Sequence, residues 1–287
     1  MSKILVSVDM EGISGVATRR ETATGWPHGT GQGDDYERAR GWMTADANAA
    51  IAGAFDGGAT EVLVADAHDG MLNILWDALD PRAELIRGYE GRPAGMIEGV
   101  HGCAAAFFVG YHAPAADGRG VLSHTFTGPN VLWDIRLNEA AASEARFNAA
   151  VAGECGVPVA LITGDDVICE QTRAWLPSIE TAVVKYALDR YTARCLPQPV
   201  ALERIRTAAC RAVQRLPEMR PYRLALPIRL EMVWADSSLA ASVARIPGVQ
   251  RCGDRTVMFE APDAQTAYDV CEIGLALAAS VVRRETV

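Results

Sequence analysis

No apolar run in this 287-residue chain approaches the roughly 18 uncharged residues needed to span a bilayer, so no membrane anchor is expected. The start, Met1-Ser2-Lys3 and a short apolar run ending at Asp9, is too brief for the core of a signal peptide. A cytoplasmic location is expected. No Lys/Arg-rich segment offsets the formal net charge of −9, from 27 basic and 36 acidic residues, which excludes nucleic acid as a partner. Cys-x-x-Cys is absent. The seven cysteines are scattered and odd in number, which argues for reduced, mostly buried thiols rather than a disulfide framework. Internal repeats and low-complexity tracts are missing as well.

What remains is ordinary globular composition, 49% hydrophobic and 22% charged, in a chain long enough for a large core. Apolar runs mark strands at about 3–8, 61–65, 83–86, 104–109, 158–163 and 180–184. Between them, "YERARGWMTADANAAIAGAFDGG" places Ala, Met, Ile and Phe at helical spacing and ends in a Gly-Gly stop. "SEARFNAAVAGECG" repeats the pattern, with Gly156 as its stop. Strands alternating with helices predict an α/β fold, a mainly parallel sheet covered by helices on both faces. After residue 196 the pattern becomes a helix near 199–216, a long strand "YRLALPIRLEMVWA", a short helix, the strand "TVMFEA" and a helix near 263–283. The expected division is an α/β metal-binding catalytic domain over 1–196 and a smaller α+β domain over 197–287 packed on it. The glycine-rich "GWPHGTGQGD", 25–34, reads as a surface loop and candidate lid.

Ligands of open parallel sheets sit beyond the carboxyl ends of the strands. Asp9 and Glu11 follow the first strand two residues apart, so both carboxylates can face one spot. His68 follows the second strand in "VLVADAHDGM", and His112 follows "AAAFFVG" in "VGYHAP". Glu144 opens the helix "SEARFNAAVAG", and His124 stands in the loop "GVLSHTFTG". Each alone has an ordinary structural explanation: a cap, an acidic surface turn, a core histidine, an acid favoured by a helix dipole. Together they weigh differently. The chain has only five histidines, and three sit just past an apolar run. Three carboxylates and two imidazoles at one sheet edge suit divalent zinc, cobalt or manganese, and a carboxylate such as Asp9 can bridge two ions.

"SVDMEGISGV", "VLVADAHDGMLN", "FFVGYHA", "GVLSHTF", "NAAVAGECGVPVALITGDD" and "AVVKYALDRYTARCLP" occur in the order seen in DppA-type D-aminopeptidases. The chain resembles that family from about residue 2 to residue 280. The resemblance implies a dinuclear zinc peptidase, with two Zn2+ per subunit, that releases N-terminal D-amino acids from short peptides. It implies Asp9, Glu11, His68, His112 and Glu144 as metal ligands, Asp9 bridging both ions, and His124 as the catalytic residue. It further implies a homo-oligomer, a ring-based decamer with its sites facing an internal chamber. One departure is "NEAAASEARFN", where the family usually carries a glycine-bearing stretch; it puts Ser143 before Glu144 and Arg146 beyond it.

Several neighbours are candidates for supporting roles. Asp66 and Asp69 flank His68 and could orient its ring. Asn148, one helical turn after Glu144, and Arg146 are candidate substrate contacts. Lys185 and Arg190 could neutralise acids at the site. His124, as general acid/base or as nucleophile, is the residue expected to distinguish an enzyme from a metal-binding scaffold. Rival readings are a hydrolase of non-peptide amides or lactams, a two-metal phosphoesterase, and a non-catalytic metal-binding oligomer. "GISG" lacks the Lys-Ser/Thr of a phosphate loop.

Overall fold

In a computed structural model, described over residues 2–22 and 33–285, the apolar runs and helical stripes assemble into two sheets. The chain opens with β1 (Lys3–Val8), a single turn α1 (Arg19–Thr22), the long helix α2 (Asp34–Asp56), β2 (Glu61–Asp66) and β3 (Ala83–Ile86). It continues through β4 (Ala105–Val109), β5 (Leu132–Leu137), β6 (Ala140–Ala141), α3 (Glu144–Glu154), β7 (Val159–Asp165) and α4 (Asp166–Trp175). A hairpin of β8 (Glu180–Asp189) and β9 (Thr192–Cys195) leads into α5 (Gln198–Gln214). The rest is β10 (Ile228–Trp234), α6 (Ser237–Val243), β11 (Gln250–Arg251), β12 (Thr256–Ala261) and α7 (Ala264–Glu285).

The larger sheet has the order β3-β2-β1-β4-β7-β8-β9, parallel throughout except for the edge strand β9. Its central strands are apolar on both faces because both are covered. Ile4, Val6 and Val8 share a core with α2 and α5, while Leu5 turns toward a second core shared with α3, α7 and the smaller sheet. Helix α2 lays a stripe of Ala39, Met43, Ala47, Ala50, Ile51 and Ala54 against the first of these. The mainly parallel, helix-covered sheet expected from the periodicity is therefore the observed one.

The smaller sheet, β11-β12-β10-β5-β6, is antiparallel. It draws β5 and β6 from before residue 197, whereas α5, beyond that residue, packs on α2 and β8 of the larger sheet. The long strand expected over "YRLALPIRLEMVWA" begins only at Ile228, after Pro227, which has no N–H to give a ladder. Helix α4 was not anticipated. Asp165 caps it by accepting from the Ile168 N–H at 2.9 Å. The thiols correct the reading of mostly buried cysteines. All seven are free, but only Cys103, Cys169 and Cys271 are buried, and Cys195 and Cys252 are exposed on the edge strand and beside β11. The candidate lid at 25–34 lies outside the described residues except for its last two. Among the described residues no helix is long and apolar enough to cross a membrane.

The chain's path reverses at the centre of the larger sheet: β2 and β3 lie on one side of β1, β4 and its successors on the other. The crevice beyond the ends of β1 and β4 is thus the expected ligand site of this topology. Two glycines let the strand ends come together there. Gly12 N–H donates to the Gly110 carbonyl at 2.7 Å, and a Cβ on Gly12 would overlap the Tyr111 carbonyl oxygen. Gly110 has φ +74°, and a Cβ there would overlap the Asp9 carbonyl oxygen. Beside this crossing, buried Asp46 of α2 accepts from the Ser14 N–H at 2.8 Å and the Ser14 hydroxyl at 2.6 Å.

Two outcomes follow from this geometry. Gly110→Ala should lower unfolding stability by about 2–4 kcal/mol, read as a lower urea midpoint with an unchanged slope. Burial pushes the Asp46 carboxyl up from 3.8 to about 6, against the opposing pull of the Ser14 bonds and the Lys185 charge. Because the folded-state value is the higher one, the folded protein holds the extra proton between about pH 4 and pH 6, and this group's contribution falls as pH rises through that window. Asp46→Asn should therefore gain on the parent by up to about 3 kcal/mol between pH 4 and pH 7, measured as the difference of their unfolding free energies.

Candidate metal centre

Six side chains from five segments meet at the crevice. Asp9 leaves β1 with its N–H donated to the Val109 carbonyl at 2.8 Å, which carries it across the end of β4. Its two oxygens face opposite ways: Oδ1 lies 3.2 Å from His68 Nδ1, and Oδ2 lies 3.3 Å from His112 Nε2. Glu11 Oε2 lies 2.9 Å from the same His68 Nδ1. Glu144, the first residue of α3, puts Oε2 3.3 Å from His112 Nε2 and Oε1 3.9 Å from His124 Nε2. Asp9, Glu11, His68, His112 and Glu144 are all buried, and only His124 retains appreciable exposure, 18% of its side chain. His112 and His124 stack with ring centroids 4.2 Å apart and planes 6° apart, so their Nε2 atoms face the same carboxylate side by side.

Each imidazole is held by a backbone carbonyl on its other nitrogen. His68 Nε2 meets the Thr22 carbonyl at 2.6 Å, His112 Nδ1 the Ala113 carbonyl at 3.0 Å, and His124 Nδ1 the Leu122 carbonyl at 2.8 Å. A carbonyl only accepts, so in each neutral ring the proton sits on the nitrogen it faces and the lone pair points into the acids. That is the orientation a metal-binding histidine needs. Asp9 Oδ2, Glu11 Oε2 and His112 Nε2 are buried without any hydrogen-bond partner. Orphaned donor atoms of this kind, gathered on hard and borderline ligands, fit a divalent cation. Candidate ligand atoms of Asp9, Glu11 and His112, and again of His112, His124 and Glu144, lie within 4.8 Å of one another. His112 belongs to both groups.

The charges are mutually dependent. Burial alone would raise the Asp9, Glu11 and Glu144 carboxyls, yet the facing imidazoles outweigh it and hold all three below the usual range. Burial opposes charge on His68 and His112, and the carboxylates opposite overcome it, raising both well above the ordinary histidine value. His124 goes the other way: burial first, and then the neighbouring His112, lower it. A neutral imidazole therefore stands at the exposed lip of a cluster that otherwise holds charge.

The supporting residues differ from expectation. Asp66 does not hold the His68 ring; its carboxylate accepts from the Asn73 and Ile74 N–H groups at 2.6 and 2.7 Å, and Thr22 holds the ring instead. Asn148 is fully buried beneath the site, where its amide donates to Tyr111 Oη at 3.2 Å and to Met96 Sδ, not to Glu144. Arg146 is turned to the Tyr222 hydroxyl at 2.8 Å and lies over the Trp175 and Tyr222 rings. Lys185 and Arg190 reach the backbone of the site loops rather than their acids: Lys185 the carbonyls after β1, Arg190 the Ser123 carbonyl. The carbonyls of Thr22, Ala113 and Leu122 were missed because main-chain atoms leave no mark in residue identity.

Comparison with known proteins agrees with this geometry. A family profile described as D-aminopeptidase matches residues 2–273. A D-aminopeptidase of Bacillus subtilis (strain 168) is 35% identical over 273 residues, 93% of this chain and 94% of its own length. A solved structure described as Zn-dependent D-aminopeptidase DppA from Bacillus subtilis, a self-compartmentalizing protease, superposes with a TM-score of 0.89 at 33% identity. That match covers 96% of this chain and 97% of the other. The chain belongs to the D-aminopeptidase family of amide-bond hydrolases.

Proposed function

We propose that this chain is a zinc-dependent aminopeptidase with a dinuclear centre that releases N-terminal D-amino acids from short peptides. One observation carries the reading: three imidazoles, each fixed by a backbone carbonyl, turn their free nitrogens onto three carboxylates buried at one sheet edge. Buried acids in such contact are costly without cations, and a pair of divalent ions offsets them. Asp9, Glu11 and His68 would hold one ion and Asp9, His112 and Glu144 the other, with Asp9 common to both. When bound, zinc supplies Lewis-acid polarisation of the scissile carbonyl and acidifies a water.

His124 supplies the proton transfers. Its Nδ1–H is committed to Leu122, so Nε2 enters the cycle bare, accepts a proton from water and returns it to the leaving amine nitrogen. Its partial exposure gives it access to substrate that the buried His68 and His112 lack. A phosphoesterase would place basic side chains on this cluster. Among the described residues, every ion pair to Asp9, Glu11 and Glu144 comes from a histidine. The self-compartmentalizing relative supports self-assembly of this chain into a closed homo-oligomer; a decamer working in the cytoplasm is the form proposed.

Two experiments test the reading. Protein purified without added metal should carry two zinc equivalents per chain by elemental analysis. His68→Ala should lose metal and activity together, while His124→Ala should keep its metal and lose turnover by about 10²–10⁴-fold. D-Alanyl anilide should be cleaved faster than L-alanyl anilide, with aryl phosphates untouched; equal rates on both alanyl anilides would remove the stereochemical assignment.

A further inference from the structure

Of the 27 basic residues only two are lysines, Lys3 and Lys185. Lys185 lies within β8 with no solvent exposure and makes no ion pair within 4 Å among the described residues. Its Nζ donates to three carbonyls: Glu11 at 2.5 Å, Ile13 at 3.0 Å and Val16 at 2.6 Å. An ammonium has three N–H bonds, so donors and acceptors match one to one. A guanidinium could not replace it, since its donors lie in one plane and do not radiate from one atom. The neighbouring Asp165, its register partner on β7, engages the Val121 and Ile168 N–H groups and is not the group that holds it.

All three acceptors belong to one turn, the irregular segment 11–16 that leaves β1 and carries Glu11. That turn belongs to neither sheet. Besides Lys185 its ties are the Gly12–Gly110 bond, a long Ile13 N–H contact to the Met10 carbonyl, Ser14 on Asp46, and the Cys195 thiol on the Gly15 carbonyl at 3.7 Å. Turning three carbonyls inward to one point leaves the Glu11 side chain facing outward, 2.9 Å from His68 Nδ1. We propose that Lys185 is a positioning residue for the metal centre, caging the turn after β1 so that the Glu11 carboxylate stands opposite His68. The proposal rests on the metal reading above, and concerns how Glu11 is aimed, not what it binds.

The test compares Lys185→Met, Glu11→Gln and a control of matched thermal destabilisation in the α2 core, Ala50→Gly, each in the full-length chain. Folding is checked by circular dichroism, zinc by equivalents retained against a chromophoric chelator, and ligand geometry by the visible spectrum of the cobalt-loaded protein. Lys185→Met should fold yet lose the same metal equivalent as Glu11→Gln, with affinity at least about 10-fold lower and an altered cobalt spectrum. Ala50→Gly should keep both metals and the parent spectrum. Lys185→Gln, which keeps two N–H donors, should fall between, and serves in place of Lys185→Met if that variant does not fold. Parent-like zinc retention and cobalt spectrum in the lysine variants, with Glu11→Gln still losing metal, would overturn the positioning role. Full metal retention by Glu11→Gln would instead overturn the ligand assignment beneath it.

Discussion

Three carboxylates held out of water around two shared imidazoles form an arrangement that a protein sustains only with compensating positive charge. The surrounding structure is organised by that constraint. The site stands at the reversal of the sheet, where the ends of β1 and β4 lie side by side. Gly12 and Gly110 are needed because the two backbones touch as they cross. Glu144 arrives from the far core as the first residue of α3, where the helix dipole favours an acid and Ser143 caps the turn. The Phe126 N–H fixes its Oε1 at 2.6 Å. Together these features bring the carboxylates to one end of the sheet.

The strands of the larger sheet were legible because they are buried on both faces and so read as unbroken apolar runs. Asp9, Glu11, His68 and His112 were legible because they follow such runs, and Glu144 because it opens a helical pattern, whereas His124 stands in a loop between strands. What escaped notice lacks that signature. Strand β9 is an exposed edge of four residues, and α4 follows β7 without an intervening loop, so its amphipathic stripe merges with the strand before it. The second sheet pairs β5 with β10, from Leu137 on Leu230 to Leu132 on Trp234, a long-range pairing that no local period announces. Asp66 looked like a support for His68 by adjacency alone, whereas it braces Asn73 and Ile74 while a carbonyl 46 residues upstream of His68 holds the ring. Proximity in sequence favoured the wrong partner.

Both site loops are also tied to the β8–β9 hairpin. Lys185 gathers the turn behind Glu11. Five residues on, Arg190 accepts the Leu122 N–H on its own carbonyl at 2.7 Å and donates its guanidinium to the Ser123 carbonyl. Leu122 has φ +53°, a conformation a leucine adopts only when its surroundings enforce it, and its carbonyl is the one that fixes the His124 ring. The turn carrying Glu11 on one side of the crevice and the loop carrying His124 on the other are thus both tied to a single hairpin.

In the reading proposed above, the stacked pair His112 and His124 divides one residue type between two roles. Both rings face Glu144 through Nε2, both are fixed through Nδ1 by a carbonyl, and their planes are nearly parallel. Chemistry close to the ring does not separate them; burial and charge do. His112 is sealed and flanked by two carboxylates, which favour any positive partner at its nitrogen. His124 sits one ring further out, and the charge on His112 pushes protons away from it. An imidazole that is neutral, oriented and open to solvent next to one that is sealed among acids is what a proton shuttle beside a metal ligand requires. The two proposed assignments rest on the depth of each ring rather than on its identity.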